Sequence, residues 1–251
     1  GWFFDHGLYT PICLTENRAT RTSTYTRDNR IATLTTSSGT DTNTYNSDGL
    51  RVRKVSGSVT TNFLCDGSTL VAEYPGTAST YHASGVSFTD GATGSRFFYR
   101  ENALGSNLAV VASTGNPISR TEYDGYGLEL PILAGTNSSH RFAGKHGYYK
   151  DDSSGLSLLG QRFYSPRIGK FLTQNPIGHS GGLNLHAYCD NSPLTNVDPD
   201  GTTAKRSMTI VLGSTAGPGL AGAATYNFFT TVFLPEMRRK YRDSYDIDVI
   251  W

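Results

Sequence analysis

Polar and apolar positions alternate along the first half of the chain. Leu50-Arg-Val-Arg-Lys-Val55 and Val59-Thr-Thr-Asn-Phe-Leu64 come close to the two-residue period of a half-buried β-strand, and long runs with helical periodicity are few. The strands end in a recurrent signature. Tyr25-Thr-Arg-Asp28-Asn29-Arg30-Ile31 returns at the same internal spacing as Tyr45-Asn-Ser-Asp48-Gly49-Leu50-Arg51, with looser copies at Phe63-Leu-Cys65-Asp66-Gly67 and Tyr123-Asp124-Gly125-Tyr126-Gly127. In each, an aromatic residue closes a Thr- or Val-rich strand. Asp, Asn or Gly then follows, the residues that supply the positive φ of a tight hairpin. An ordinary antiparallel sheet protein would use the same turns. Repetition at fixed spacing favours a repeat architecture, in which each hairpin covers its apolar face by stacking on its neighbours.

Beyond Gly201 the pattern changes. From Ser207 to Pro235 no side chain is charged, and Ile210-Val-Leu212, Phe228-Phe229 and Val232-Phe-Leu234 are apolar. The stretch is long enough to span a bilayer. Glycines and threonines precede Leu220, however, and Pro218 interrupts any helix there. The expectation is a mostly irregular, partly helical tail that forms a buried plug or an apolar strand–helix segment, with membrane contact of 207–235 as the lesser alternative. Glu236-Met-Arg-Arg-Lys-Tyr-Arg242 has the composition of a solvated basic helix face.

Composition agrees with the strand reading. Of 251 residues, 28 are Gly and 15 are Tyr, Thr and Ser are frequent, and charged residues make up only 17%. A net charge of +1 gives no bulk attraction to nucleic acid, so no nucleic-acid partner is expected. Cys13, Cys65 and Cys189 lack the spacing of a zinc site and read as isolated thiols. His140, His146, His179 and His186 are scattered and read as surface or structural residues, and neither a metal nor a cofactor is expected. The start, Gly-Trp-Phe-Phe-Asp-His, lacks Met and the regions of a signal peptide, and reads as the interior of a longer protein or a processed end.

Two turns of the form Asx-Pro-x-Gly stand out, Asn175-Pro176-Ile177-Gly178 and Asp198-Pro199-Asp200-Gly201, with Gly-Gly-Leu-Asn-Leu-His-Ala-Tyr at 181–188 between them. Taken alone they could be loop punctuation. Upstream lie Arg96-Phe-Phe-Tyr99-Arg-Glu-Asn-Ala-Leu104-Gly105-Ser106, Arg120-Thr-Glu-Tyr123-Asp124-Gly-Tyr-Gly127, Arg141-Phe-Ala-Gly144-Lys145, Gly155-Leu-Ser-Leu-Leu-Gly-Gln-Arg162-Phe-Tyr164 and Gly169-Lys-Phe171. In order and spacing, residues 96–201 resemble the C-terminal core of the Rhs/YD-repeat proteins, a family that includes the C subunits of Tc toxin complexes. The resemblance implies an all-β fold, with YD-repeat hairpins in a spiralling antiparallel sheet that forms part of a shell or tube. It also implies three regions: repeat hairpins over 1–95, the repeat-associated core over 96–201, and a tail over 202–251 in the position of the family's cargo.

The resemblance further implies a reaction. In the family both turns begin with Asp, and the two carboxylates cut the chain just past the second turn. One carboxyl acts as acid while the other activates water, because two carboxylates held close cannot both ionise. Carried to this chain, the roles fall on positions 175 and 198, and the cut falls between Thr202 and Thr203. Arg162 matches a basic position, as an orienting group or as a structural ion-pair partner. Three positions depart from the family pattern: Asn175 replaces Asp, Thr202 the usual Leu, and Lys170 the usual Arg. An amide cannot ionise, so a shared-proton pair with Asp198 cannot form.

The expected function is therefore a structural shell segment that encloses or presents its own C-terminal tail, with self-cleavage disabled. A self-assembling extracellular polymer of stacked repeats, and a residual aspartic autoprotease cutting after Thr202 with a second acid, are the alternatives. Expected partners are further YD-repeat segments, copies of itself and its own tail. The implied location is secreted or at the cell surface.

Overall fold

Hairpin follows hairpin through the first half of the structure, a computed structural model. It describes residues 9–16, 19–76, 79–83, 86–135, 138–211 and 245–250, with Pro235 and Arg239. Residues 9–16, 19, 20, 208–211 and 245–250 are described in backbone only. The N-terminal hexapeptide and the stretch 212–234 lie outside the described residues, as does most of the basic stretch 236–242.

The hairpins begin with β1 (Tyr9–Glu16), β2 (Ala19–Tyr25), β3 (Ile31–Thr36) and β4 (Gly39–Tyr45). They continue as β5 (Arg51–Ser56), β6 (Val59–Asp66), β7 (Thr69–Pro75), β8 (Thr80–Ala83) and β9 (Ser87–Asp90). The last four are β10 (Arg96–Glu101), β11 (Asn107–Ala112), β12 (Pro117–Tyr123) and β13 (Glu129–Leu133). Each strand pairs antiparallel with the next, giving one 13-stranded sheet in sequence order. The all-β, antiparallel expectation holds.

The repeat signature has a visible physical basis. Its turns carry positive φ at Asn29 (59°), Gly49 (82°), Gly67 (57°) and Gly127 (86°), the conformation expected from their residue types. The aromatic residue reaches back across its hairpin. Tyr45 Oη donates to the Ile31 carbonyl and Tyr123 Oη to the Asn107 carbonyl, each at 2.8 Å. A Cβ at Gly49 would strike the Arg30 guanidinium of the preceding repeat, so successive turns nest closely.

A second, four-stranded sheet follows: β14 (Tyr149–Asp151), β15 (Leu156–Leu159), β16 (Arg162–Ser165) and β17 (Lys170–Phe171). It packs on the large sheet through Tyr25, Ile31, Leu34, Leu70, Leu156 and Phe163, all buried. Removing each such side chain from water stabilises the fold by about 1.5–3 kcal/mol. A buried ion pair lies beside this core. Arg51 of β5 and Lys54 reach the two oxygens of Asp151, each at 2.8 Å, and the Arg51 guanidinium stacks on Phe63 and Tyr149. These charges, with burial acting against them, hold the Asp151 carboxyl far below the usual range.

The third sheet joins β18 (Asn196–Val197) antiparallel to β19 (Lys205–Val211), and β19 parallel to β20 (Tyr245–Ile250). In the tail, expected to be mostly irregular and partly helical, the described stretches Lys205–Val211 and Tyr245–Ile250 are strand. No helix among the described residues is long and apolar enough to cross a membrane. Cys189 is buried and Cys65 half-buried, neither in a disulfide, and the Cys13 side chain lies outside the described residues.

Candidate functional site

The two Asx-Pro-x-Gly turns meet over a buried aromatic floor of Phe142, Tyr148, Tyr164, Phe171 and Tyr188. In the first turn Asn175 Oδ1 accepts from the Ile177 N–H at 3.2 Å, and the Asn175 carbonyl from the Gly178 N–H at 2.9 Å. This is the side-chain-to-backbone closure that makes Asx residues turn formers. The second turn is closed by the Gly201 N–H on the Asp198 carbonyl at 3.2 Å. It interlocks with the β15–β16 hairpin. Gly160 and Gly201 both have positive φ, and a Cβ on either would collide with the other segment's backbone.

The five residues singled out from the sequence are brought together around one peptide bond. Asn175 Nδ2 donates to the Thr202 carbonyl at 2.6 Å. Asp198 Oδ1 accepts from the Thr202 N–H at 2.9 Å and from the Thr203 N–H at 3.1 Å. The Thr202–Thr203 bond is thus gripped at its oxygen by an amide and at its nitrogen by a carboxylate. Asn175 and Asp198 are 7% and 2% exposed, so these bonds form with little competing water.

Arg162 supports both turns. Its Nη2 lies 3.4 Å from Asp198 Oδ2, its Nη1 donates to the Leu185 carbonyl at 3.0 Å, and its Nε donates to the Gly201 carbonyl. The guanidinium sits 3.5 Å from the centre of the Phe171 ring, a cation–π contact. Burial lowers the Arg162 pKa to about 10, against the pull of Asp198. Burial also raises the Asp198 carboxyl above the usual range, while Arg162 and the two amide donors pull it the other way. Asp200, whose charge reaches Asp198, is engaged elsewhere. It accepts from Ser68 Oγ at 2.8 Å and pairs with Lys205 at 3.2 Å.

Three contributors were not singled out from the sequence. Tyr148 Oη accepts the Asp198 N–H at 2.6 Å and shares a 3.0 Å hydrogen bond with Tyr188. The Leu185 carbonyl accepts from both Arg162 and the Asn175 N–H. Gly181 has no Cβ to spare. One built there would lie 3.0 Å from the Thr202 oxygen and collide with Asn175 Nδ2. Only the Gly181-Gly182 pair gave a sequence signal. An aromatic side chain and a carbonyl carry none.

The arrangement polarises one peptide bond, and of the two Asx side chains that hold it only Asp198 can ionise. The Asn175 amide donates to the carbonyl as a protonated carboxyl would, yet it has no proton to transfer and cannot take one from water.

Known proteins match parts of the chain. No family model matches the chain. It is 34% identical over 171 residues to the tRNA nuclease WapA of Bacillus subtilis (strain 168), covering 62% of this chain and 7% of that protein. Over 117 residues it is 47% identical to the double-stranded DNA deaminase toxin A of Burkholderia cenocepacia (strain H111), covering 45% of this chain and 8% of that protein. A Tc holotoxin pore structure from Photorhabdus luminescens contains a chain similar at 20% identity with a TM-score of 0.45, over 85% of this chain and 10% of that one. The chain spans about a tenth or less of the length of each of these three proteins.

Proposed function

We propose that this chain is a shell segment of an Rhs/YD-repeat toxin protein, which holds and presents its own C-terminal segment and has lost the family's aspartic self-cleavage. Residues 1–95 serve as repeat hairpins, 96–201 as the core that carries the clamp, and 202–251 as the presented segment. The observation that carries the reading is the grip of Asn175 and Asp198 on the Thr202–Thr203 bond. The geometry suits an acid at position 175, and the residue there cannot act as one. The relatives add support. One is named as a tRNA nuclease and another as a DNA deaminase, and similarity to proteins of such different activities fits a carrier segment rather than either reaction. Association with further toxin segments and a secreted or cell-surface location follow from the same reading.

Intact mass after purification tests it. The unmodified chain should remain whole through incubation at pH 5 and pH 7. Asn175→Asp should restore a cut between Thr202 and Thr203 at a rate at least 10²-fold above that of the parent, the lower range for a positioned acid or base. The double change Asn175→Asp, Asp198→Asn should abolish that cut. A cut in the unmodified chain would instead favour a residual protease with a second acid.

The polymer reading has one observation in its favour. Among the described residues, β1 and β13 each pair on one side only, so the large sheet has two open edges.

A further inference from the structure

The strand that leaves the clamp is held on the core by more than its covalent link. Asn196 and Val197 of β18 pair with Arg206 and Lys205 of β19. The Ser207 N–H donates to the Thr195 carbonyl at 3.0 Å, and Lys205 Nζ lies 3.2 Å from Asp200 Oδ2. These contacts bridge the tight turn that contains Thr202 and Thr203. On its other side β19 pairs with the end of the chain, in parallel and in unbroken register from Arg206 opposite Tyr245 to Val211 opposite Ile250. A parallel pair cannot be joined by a tight turn. Val197 is fully buried beside Asp198, which anchors the short docking strand in the site itself.

We infer that β18 is a docking strand for the chain's own β19 (Lys205–Val211), which it holds by β-augmentation independently of the Thr202–Thr203 bond. The inference rests on the reading of 202–251 as the presented segment and names how that segment is held. Main-chain hydrogen bonds supply the affinity in such additions. The two-residue length of β18 makes the hold modest and reversible. Breaking the backbone at the clamp and releasing the segment are then separate events, set by different contacts.

The test uses the full chain with a protease recognition sequence inserted between Thr203, which is exposed, and Ala204. Intact mass before protease is added reports separately on self-cleavage, so failure of the functional reading is visible before the docking is tested. After cutting, the two pieces should co-elute as one complex on native size-exclusion chromatography and separate in denaturant. Ser207→Pro removes the N–H that bonds Thr195 and should raise the dissociation constant of the cut complex at least tenfold, whereas Ser207→Ala, which keeps it, should not. Hydrogen exchange provides a second readout that needs no variant. Amides of 206–211 should keep their protection after the cut. Separation of the pieces on cutting, loss of that protection, or a cut Ser207→Pro complex as tight as its parent would each overturn the inference.

Discussion

At Gly181 the closeness of the clamp depends on a missing atom. Any Cβ there meets both the Asn175 amide and the Thr202 oxygen, the two atoms joined by the 2.6 Å hydrogen bond. Gly181→Ala must push one of them away, which should destabilise the fold by about 1–3 kcal/mol, the usual cost of overpacking. In the background of Asn175→Asp the same change should slow any restored cut more than it lowers stability, because the acid would no longer reach the carbonyl. Chemical denaturation paired with intact-mass kinetics checks this. A restored cut that is unaffected by Gly181→Ala would mean that the Asn175 contact does not describe the reacting geometry. The sequence makes Asn175, Asp198, Arg162, Thr202 and Thr203 readable because polar residues in a fixed turn motif carry a pattern. Tyr148 and the Leu185 carbonyl were silent, since the first looks like any core aromatic and the second is backbone.

Among the elements, the hairpins were the most readable, because their turn residues dictate local φ and their strands alternate. The contacts between distant elements were not. Nothing in the sequence near His82 or His140 indicates that β8 and the segment leading to β14 bring their rings together, with centroids 4.5 Å apart. His82 Nε2 hydrogen-bonds Glu73 Oε1 at 3.1 Å, and Ser139 and Tyr149 complete the Glu73 shell. Burial alone would raise the Glu73 carboxyl, but these donors outweigh it and hold it below its ordinary value. Both ring nitrogens of His140 are buried without a partner. Burial, reinforced by His82 and opposed by Glu73, lowers the His140 pKa to about 3. The unfolded chain therefore takes up a proton near pH 6.5 that the folded chain refuses. Stability contributed by neutral His140 is complete above pH 7 and falls by about 1.4 kcal/mol per pH unit from about pH 6 toward pH 3. Urea titrations of the parent and of His140→Phe should differ by that slope, since Phe fills the site and does not titrate. Parallel pH profiles for the two proteins would contradict the buried, neutral assignment.

Over the whole molecule the question is what an open sheet does with its edges. A flat edge with unpaired N–H and C=O groups is a template for another strand, and proteins usually blunt it. Among the described residues β13 is such an edge, and it exposes Leu130, Ile132 and Leu133. It also contains Pro131, opposite Thr121 of β12. Proline has no N–H to give its neighbour and is tolerated in sheets where that N–H would face outward, so Pro131 removes a donor from the open side. The sequence already held this information as a proline inside an apolar run, but it became meaningful only once β13 was seen to lie at an edge. Replacing Pro131 with Val restores the donor and adds a β-branched residue to an already apolar strand. Pro131→Val should therefore self-associate, with a weight-average mass that rises with concentration in light scattering while the parent remains monodisperse. If the parent also grows with concentration, the open edges pair despite the proline, and the polymer reading gains over the shell segment. If neither protein associates, the exposed side of β13 is protected by something other than Pro131.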